Sequence, residues 1–108
     1  MTDKKIIQLL LDLKCPTNIL GFEYLKQAVH IVTENKGIRK MELYRSIAET
    51  CNKKPPVTTT NVERSMRYAL EHVVANNTPL YQKLFGDAKK VVNSEFISRC
   101  ILYLEAGV

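Results

Sequence analysis

Apolar residues recur every three or four positions along almost the whole chain and never alternate strictly with polar ones, so the pattern predicts helices and no sheet. Ile6, Ile7, Leu9, Leu10 and Leu13 share one side of a first helix from about Asp3 to Lys14, with Pro16 just past its end. Phe22, Leu25, Val29 and Val32 give a second helix from about Phe22 to Asn35, where Gly37 offers a stop. Leu43, Ile47 and Cys51 mark the buried side of a third, from about Lys40 to Cys51. The stretch NKKPPVTT that follows must turn, because two consecutive prolines cannot continue a helix. A fourth helix runs from about Thr60 to about Ala75 and ends at Asn76 and Asn77. A short fifth has Thr78 as cap, Pro79 in its first turn and Gly86 at its stop. After the loop DAKKVV, a sixth runs from about Ser94 to Glu105, capped by Asn93 or Ser94, with Phe96, Ile97, Cys100, Ile101 and Leu104 inward.

Six helices with short connections in 108 residues predict a compact all-α single domain. Composition agrees: 45% of residues are hydrophobic, 25% charged, and glycine and proline number four each, so neither a disordered nor a fibrous chain fits. Cys15, Cys51 and Cys100 are odd in number, far apart and without a Cys-x-x-Cys pair. They read as small buried hydrophobes in a reducing cytoplasm, not as a disulfide or zinc framework. The opening MTDKKIIQLLLDLK has lysines before an apolar run, but Gln8 and Asp12 interrupt it and no small-residue cleavage site follows. No stretch is long enough to span a membrane, so a membrane role is not expected.

Charge adds the first hint of function. The formal net charge is +5, yet residues 1–35 hold four basic and four acidic groups, and residues 68–108 again hold four of each. The whole excess lies in residues 36–67, where Lys36, Arg39, Lys40, Arg45, Lys53, Lys54, Arg64 and Arg67 face only Glu42, Glu49 and Glu63. A local surplus of this kind suits a polyanion, although a plain solvated basic surface fits equally well.

The helix wheel of TTTNVERSMRYALEHV (residues 58–73) sharpens the choice. Val62, Met66, Ala69, Leu70 and Val73 form its core stripe, while Thr60, Arg64, Arg67, Tyr68 and Glu71 lie opposite and Asn61 lies at the edge. Thr60 and Glu63 have the spacing of a capping box, and Glu63 precedes Arg67 by four residues, the favoured order for an ion pair. Glu63 thus has a structural explanation. Arg64 has none: it points away from the core with no acidic residue three or four positions away. In a helix-turn-helix, here helices three and four, the leading residues of the second helix enter the major groove. An arginine there can donate to O6 and N7 of guanine through its planar fork. The threonine hydroxyls of Thr58, Thr59 and Thr60 and the first-turn amides suit phosphate oxygens.

Catalysis has little support. His30 and His72 are the only histidines, and no Ser/His/Asp set, metal-ligand spacing or glycine-rich phosphate loop occurs, so no catalytic residue, metal or cofactor is expected. The serious alternative is a protein-interaction module that acts on a full-length relative or on RNA polymerase without reading DNA. Leu102 and Tyr103, outside the core stripe of helix six, are its candidate contacts, though an ordinary core helix explains them as well.

NVERSMRYALEHV, NSEFISRCILYLE and ILGFEYLKQAV together resemble the C-terminal DNA-binding effector domain of the stage-zero sporulation transcription factor A family. The similarity runs from helix one to helix six. It implies a six-helix domain, residues 1–108, that reads short operator boxes in double-stranded DNA, often in tandem, with a homodimer on tandem sites and RNA polymerase as candidate partners. It implies base contacts by Arg64 and Glu63, with Asn61 beside them, and a backbone contact by Arg67. Tyr68, Thr58, Thr59, Thr60, Lys53, Lys54, Arg39 and Lys40 complete the expected phosphate-facing set. Asn61 and Tyr68 stand where the family has arginine and histidine. The turn NKKPPVTT is about four residues longer than the family's, and no receiver domain precedes the effector part in this sequence.

Overall fold

The computed structural model describes residues 3–51 and 57–106. Its helices are α1 (Asp3–Asp12), α2 (Leu20–Glu34), α3 (Lys40–Cys51), α4 (Thr59–Asn76), α5 (Pro79–Phe85) and α6 (Asn93–Glu105). Among the described residues there is no strand, as the helical periodicity predicts.

Each helix buries most of the stripe that its spacing picks out. Ile6, Leu9, Leu10 and Leu13 close one end of the core, and Phe96, Ile97, Cys100 and Ile101 line it from α6. Ile7, Phe22, Val32 and Leu104 are only half-buried, and Tyr24, Ala28 and Tyr44 join the core in addition to the residues the stripes singled out. Cys15 and Cys100 are buried free thiols, and burial pushes the Cys15 thiol up to about 11 and Cys100 further in the same direction. The side chain of Cys51 lies outside the described residues.

α4 is the spine. It packs on α2, α3 and α6, and its core stripe of Val62, Met66, Ala69, Leu70 and Val73 is buried throughout. The contact with α2 is made close by Gly21, in the first turn of that helix. A Cβ built there would stand 2.6 Å from the Ala69 Cβ and closer still to the Ser65 carbonyl oxygen, so only a residue without a side chain lets the two backbones meet.

The helix ends depart from expectation in four of the six helices. α1 stops at Asp12, not Lys14, because Lys14 takes a left-handed φ of 59°. α2 starts two residues before Phe22, at Leu20, and its C-cap is Asn35, whose N–H donates to the Ile31 carbonyl; Gly37 lies beyond it. α4 is capped by Thr58, not Thr60. The Thr58 hydroxyl accepts from the Asn61 N–H at 3.1 Å, while Thr59 and Thr60 are already helical. This register places half-buried Val57 and buried Val62 at the two positions of a hydrophobic staple, which selects one threonine of the three. Finally, neither Asn93 nor Ser94 caps α6. The cap position is Val92, with no side-chain bond, and Asn93 is a buried first residue of the helix. The α5 ends follow the pattern, with the Thr78 hydroxyl accepting from the Tyr81 N–H and Gly86 at φ 66°.

Candidate nucleic-acid interface

Burying one stripe of α4 dictates what the other presents. With Val62, Met66, Ala69 and Val73 inward, Arg64, Arg67, Tyr68 and Glu71 are exposed, as are Asn61 and Thr60. Arg64 is free of any ion pair or side-chain hydrogen bond among the described residues. It lies two residues further into α4 than a cap at Thr60 would place it, since the helix opens at Thr59.

Arg67 is held. Its Nη1 lies 3.7 Å from Glu63 Oε1, one turn earlier on the same helix. The reciprocal capping box expected of Thr60 and Glu63 is replaced by the Thr58 cap, so the Glu63 carboxylate makes no cap and pairs through Oε1 with Arg67. Both groups are about half exposed, so the pair aligns the guanidinium without contributing much stability. Tyr68 is 53% exposed, and its ring packs edge-on against His72 with centroids 4.7 Å apart. That contact accounts for His72 as a support for Tyr68.

Thr58 is exposed and Thr59 half-buried at the tip of α4. Arg39 and Lys40 are exposed at the start of α3, the helix packed directly against α4, so the structure brings them to the same part of the molecule as Arg67. Lys40 and Arg67 line one groove. Lys53 and Lys54 lie outside the described residues. Lys36 belongs elsewhere: its Nζ is 2.8 Å from the Glu105 carboxylate at the end of α6, which offsets its charge.

One positioning residue escapes any reading of residue types along the chain. Asn93 is buried, and its Nδ2 donates to Tyr44 Oη at 3.2 Å and to the Glu63 carbonyl oxygen at 3.4 Å. One amide therefore ties the start of α6 to α3 and to the turn of α4 that carries Glu63 and Arg64. An asparagine ahead of an apolar helix looks like a cap, and only the packing shows that it turns inward. Gly21 is the second such residue, because its close approach to Ser65 and Ala69 fixes the depth at which α4 sits.

Among the described residues no group of three or more His, Cys, Asp or Glu side chains could hold a metal ion, and no helix is long and apolar enough to cross a membrane. α4 is 18 residues long, about 27 Å at 1.5 Å per residue. With side chains, a helix of about 10–12 Å matches a DNA major groove about 12 Å wide.

A buttressed helix with its inner stripe sealed and its cations turned outward, in a bundle of six helices, puts the chain in the all-α class. The sequence matches the family model described as sporulation initiation factor Spo0A C terminal over residues 6–104, from α1 to the last turn of α6. The chain belongs to this family, the C-terminal DNA-binding domain of a sporulation transcription factor. It is a family of transcription-factor domains and not of enzymes.

Proposed function

We propose that this domain is a sequence-specific transcriptional regulator that inserts α4 into the major groove of double-stranded DNA, with α3 and α4 as its helix-turn-helix. The observation that carries the reading is Arg64: exposed, without an ion pair or side-chain hydrogen bond among the described residues, and on the outer face of a helix whose inner stripe is buried. A guanidinium in that state has no part in folding and can meet a guanine edge with two donors. Glu63 and Asn61, one turn or less away, are the other base-facing groups. A carboxylate accepts from cytosine N4, and an asparagine amide can pair with adenine N6 and N7.

Arg67, aligned by Glu63, takes a phosphate in this reading. Tyr68, Thr58, Thr59, Thr60, Arg39 and Lys40 flank it, and Lys53 and Lys54 add charge from the turn. The whole chain then serves as one cytoplasmic effector domain. A second copy on tandem operator boxes and RNA polymerase are candidate partners for the remaining surface.

Selection from a random duplex pool followed by binding of Arg64→Ala tests the reading. The substitution should leave the thermal transition unchanged and remove about 1–3 kcal/mol of discrimination at one guanine position. If Arg64→Ala binds the selected operator as tightly as the parent, Arg64 reads no base.

A further inference from the structure

Between α4, the start of α3 and the segment leading into α6 lies an open groove of about 880 Å³. Its charged lining is Lys40, Glu63, Arg67, Glu71, Lys89 and Lys90. Two of its cations, Lys40 and Arg67, belong to the phosphate-facing set of the preceding section. The other two come from a stretch whose charge, counted along the sequence, cancels to zero.

That cancellation fails in space. Of the four acids in residues 68–108, Glu95 lies 3.5 Å from Arg99, Glu105 holds Lys36, Glu71 lines the groove, and Asp87 is exposed two residues before Lys89 but is not part of the groove lining. Lys89 and Lys90 are exposed and free of any ion pair among the described residues. Of the groove's own carboxylates, Glu63 is paired with Arg67, leaving Glu71 as the opposing charge. The lysine pair is also held in place from both sides. The Tyr81 hydroxyl donates to the Ala88 carbonyl at 2.7 Å just before it, and Val91 is buried just after it.

We infer that Lys89 and Lys90 form a second phosphate-contacting element, continuous with Arg67 and Lys40, that grips the DNA strand beside the groove entered by α4. This rests on the proposed docking of α4 and extends it by a site from the other end of the chain. Four cations lining one groove, two of them in the proposed phosphate-facing set, suit a strand carrying a charge every 3.4 Å of helix axis. Exposed lysines there meet the strand before any deeper ligand, which favours a polyanion lying along the groove over a small anion seated within it.

The test compares the parent, Lys89→Ala/Lys90→Ala and a charge-matched control, Lys4→Ala/Lys5→Ala, on α1 outside the groove. Each is titrated with a selected operator duplex and with a random-sequence duplex across a range of salt. Loss of two phosphate contacts should lower the slope of log K against log salt by about 1.8, which is roughly a 60-fold weakening at 0.1 M salt. The ratio of operator to random binding should stay the same, because phosphates carry no sequence information. The control should change far less.

An unchanged slope in the lysine variant overturns the inference and leaves the groove to a different partner, such as an acidic protein segment. So does an equal loss in the control, which would mean that net charge and not the groove is responsible. If the parent itself binds neither duplex, the reading of α4 fails first and is distinguished by that result.

Discussion

Replacing Gly21 with alanine sets two effects against each other. Gly21 lies in the first turn of α2, and by helix propensity alone alanine is favoured there by about 0.8–1.0 kcal/mol. Packing acts in the opposite direction. The new methyl would meet the Ala69 Cβ at 2.6 Å, where carbon atoms normally rest about 3.5–4.0 Å apart, and would press on the Ser65 carbonyl. Those neighbours are backbone and the first carbon of a side chain, so neither can rotate away. α2 and α4 must separate by about 1 Å, and overpacking of this kind costs typically about 1–3 kcal/mol, at times more. With rigid neighbours the upper part of that range applies, so the net effect is a loss of about 2 kcal/mol. For a domain of this size that corresponds to a fall in Tm of about 8–16 °C. Thermal unfolding followed by circular dichroism measures it. A Tm that rises or stays level would show that the two helices have room to part, and the account of α4 as a helix set at a fixed depth would be wrong.

Three further substitutions probe the positioning of α4. Asn93→Ala removes both donations to Tyr44 and the Glu63 carbonyl, so urea unfolding should show a loss of about 2 kcal/mol with m unchanged, and weaker operator binding should follow even where the protein is fully folded. A variant as stable as the parent would mean that the amide ties nothing together. Thr58→Ala should cost about 1 kcal/mol and Thr60→Ala no more than a few tenths, as only the first loses a cap; the reverse order would place the start of α4 two residues later.

How much of this was legible in the sequence depends on the scale of the feature. The inner stripe of α4 follows from spacing alone, because burial of Val62 forces Met66, Ala69 and Val73 to the same side. The exposure of Arg64 follows with it, since what the stripe excludes must face outward. The helix ends were less legible. Three threonines in a row each offer a cap, and the choice of Thr58 depends on Val57 reaching the core. Asn93 has the residue type of a cap and the surroundings of a core residue. Charge summed along the chain misplaced two features. It counted Lys36 with the basic segment although Glu105 holds it, and it passed over Lys89 and Lys90, whose neighbours in sequence are not their neighbours in space.

Glu63 is anchored at both ends. Its carbonyl accepts from Asn93 in the body of the domain, and its carboxylate steadies Arg67 on the outside. In the proposed docking, α4 is therefore set like type in a printer's block, with its lettering oriented before any duplex arrives. Docking then needs little further ordering of the protein, so the heat-capacity change on binding should reflect the contact area alone, without the extra decrement that accompanies folding on a template.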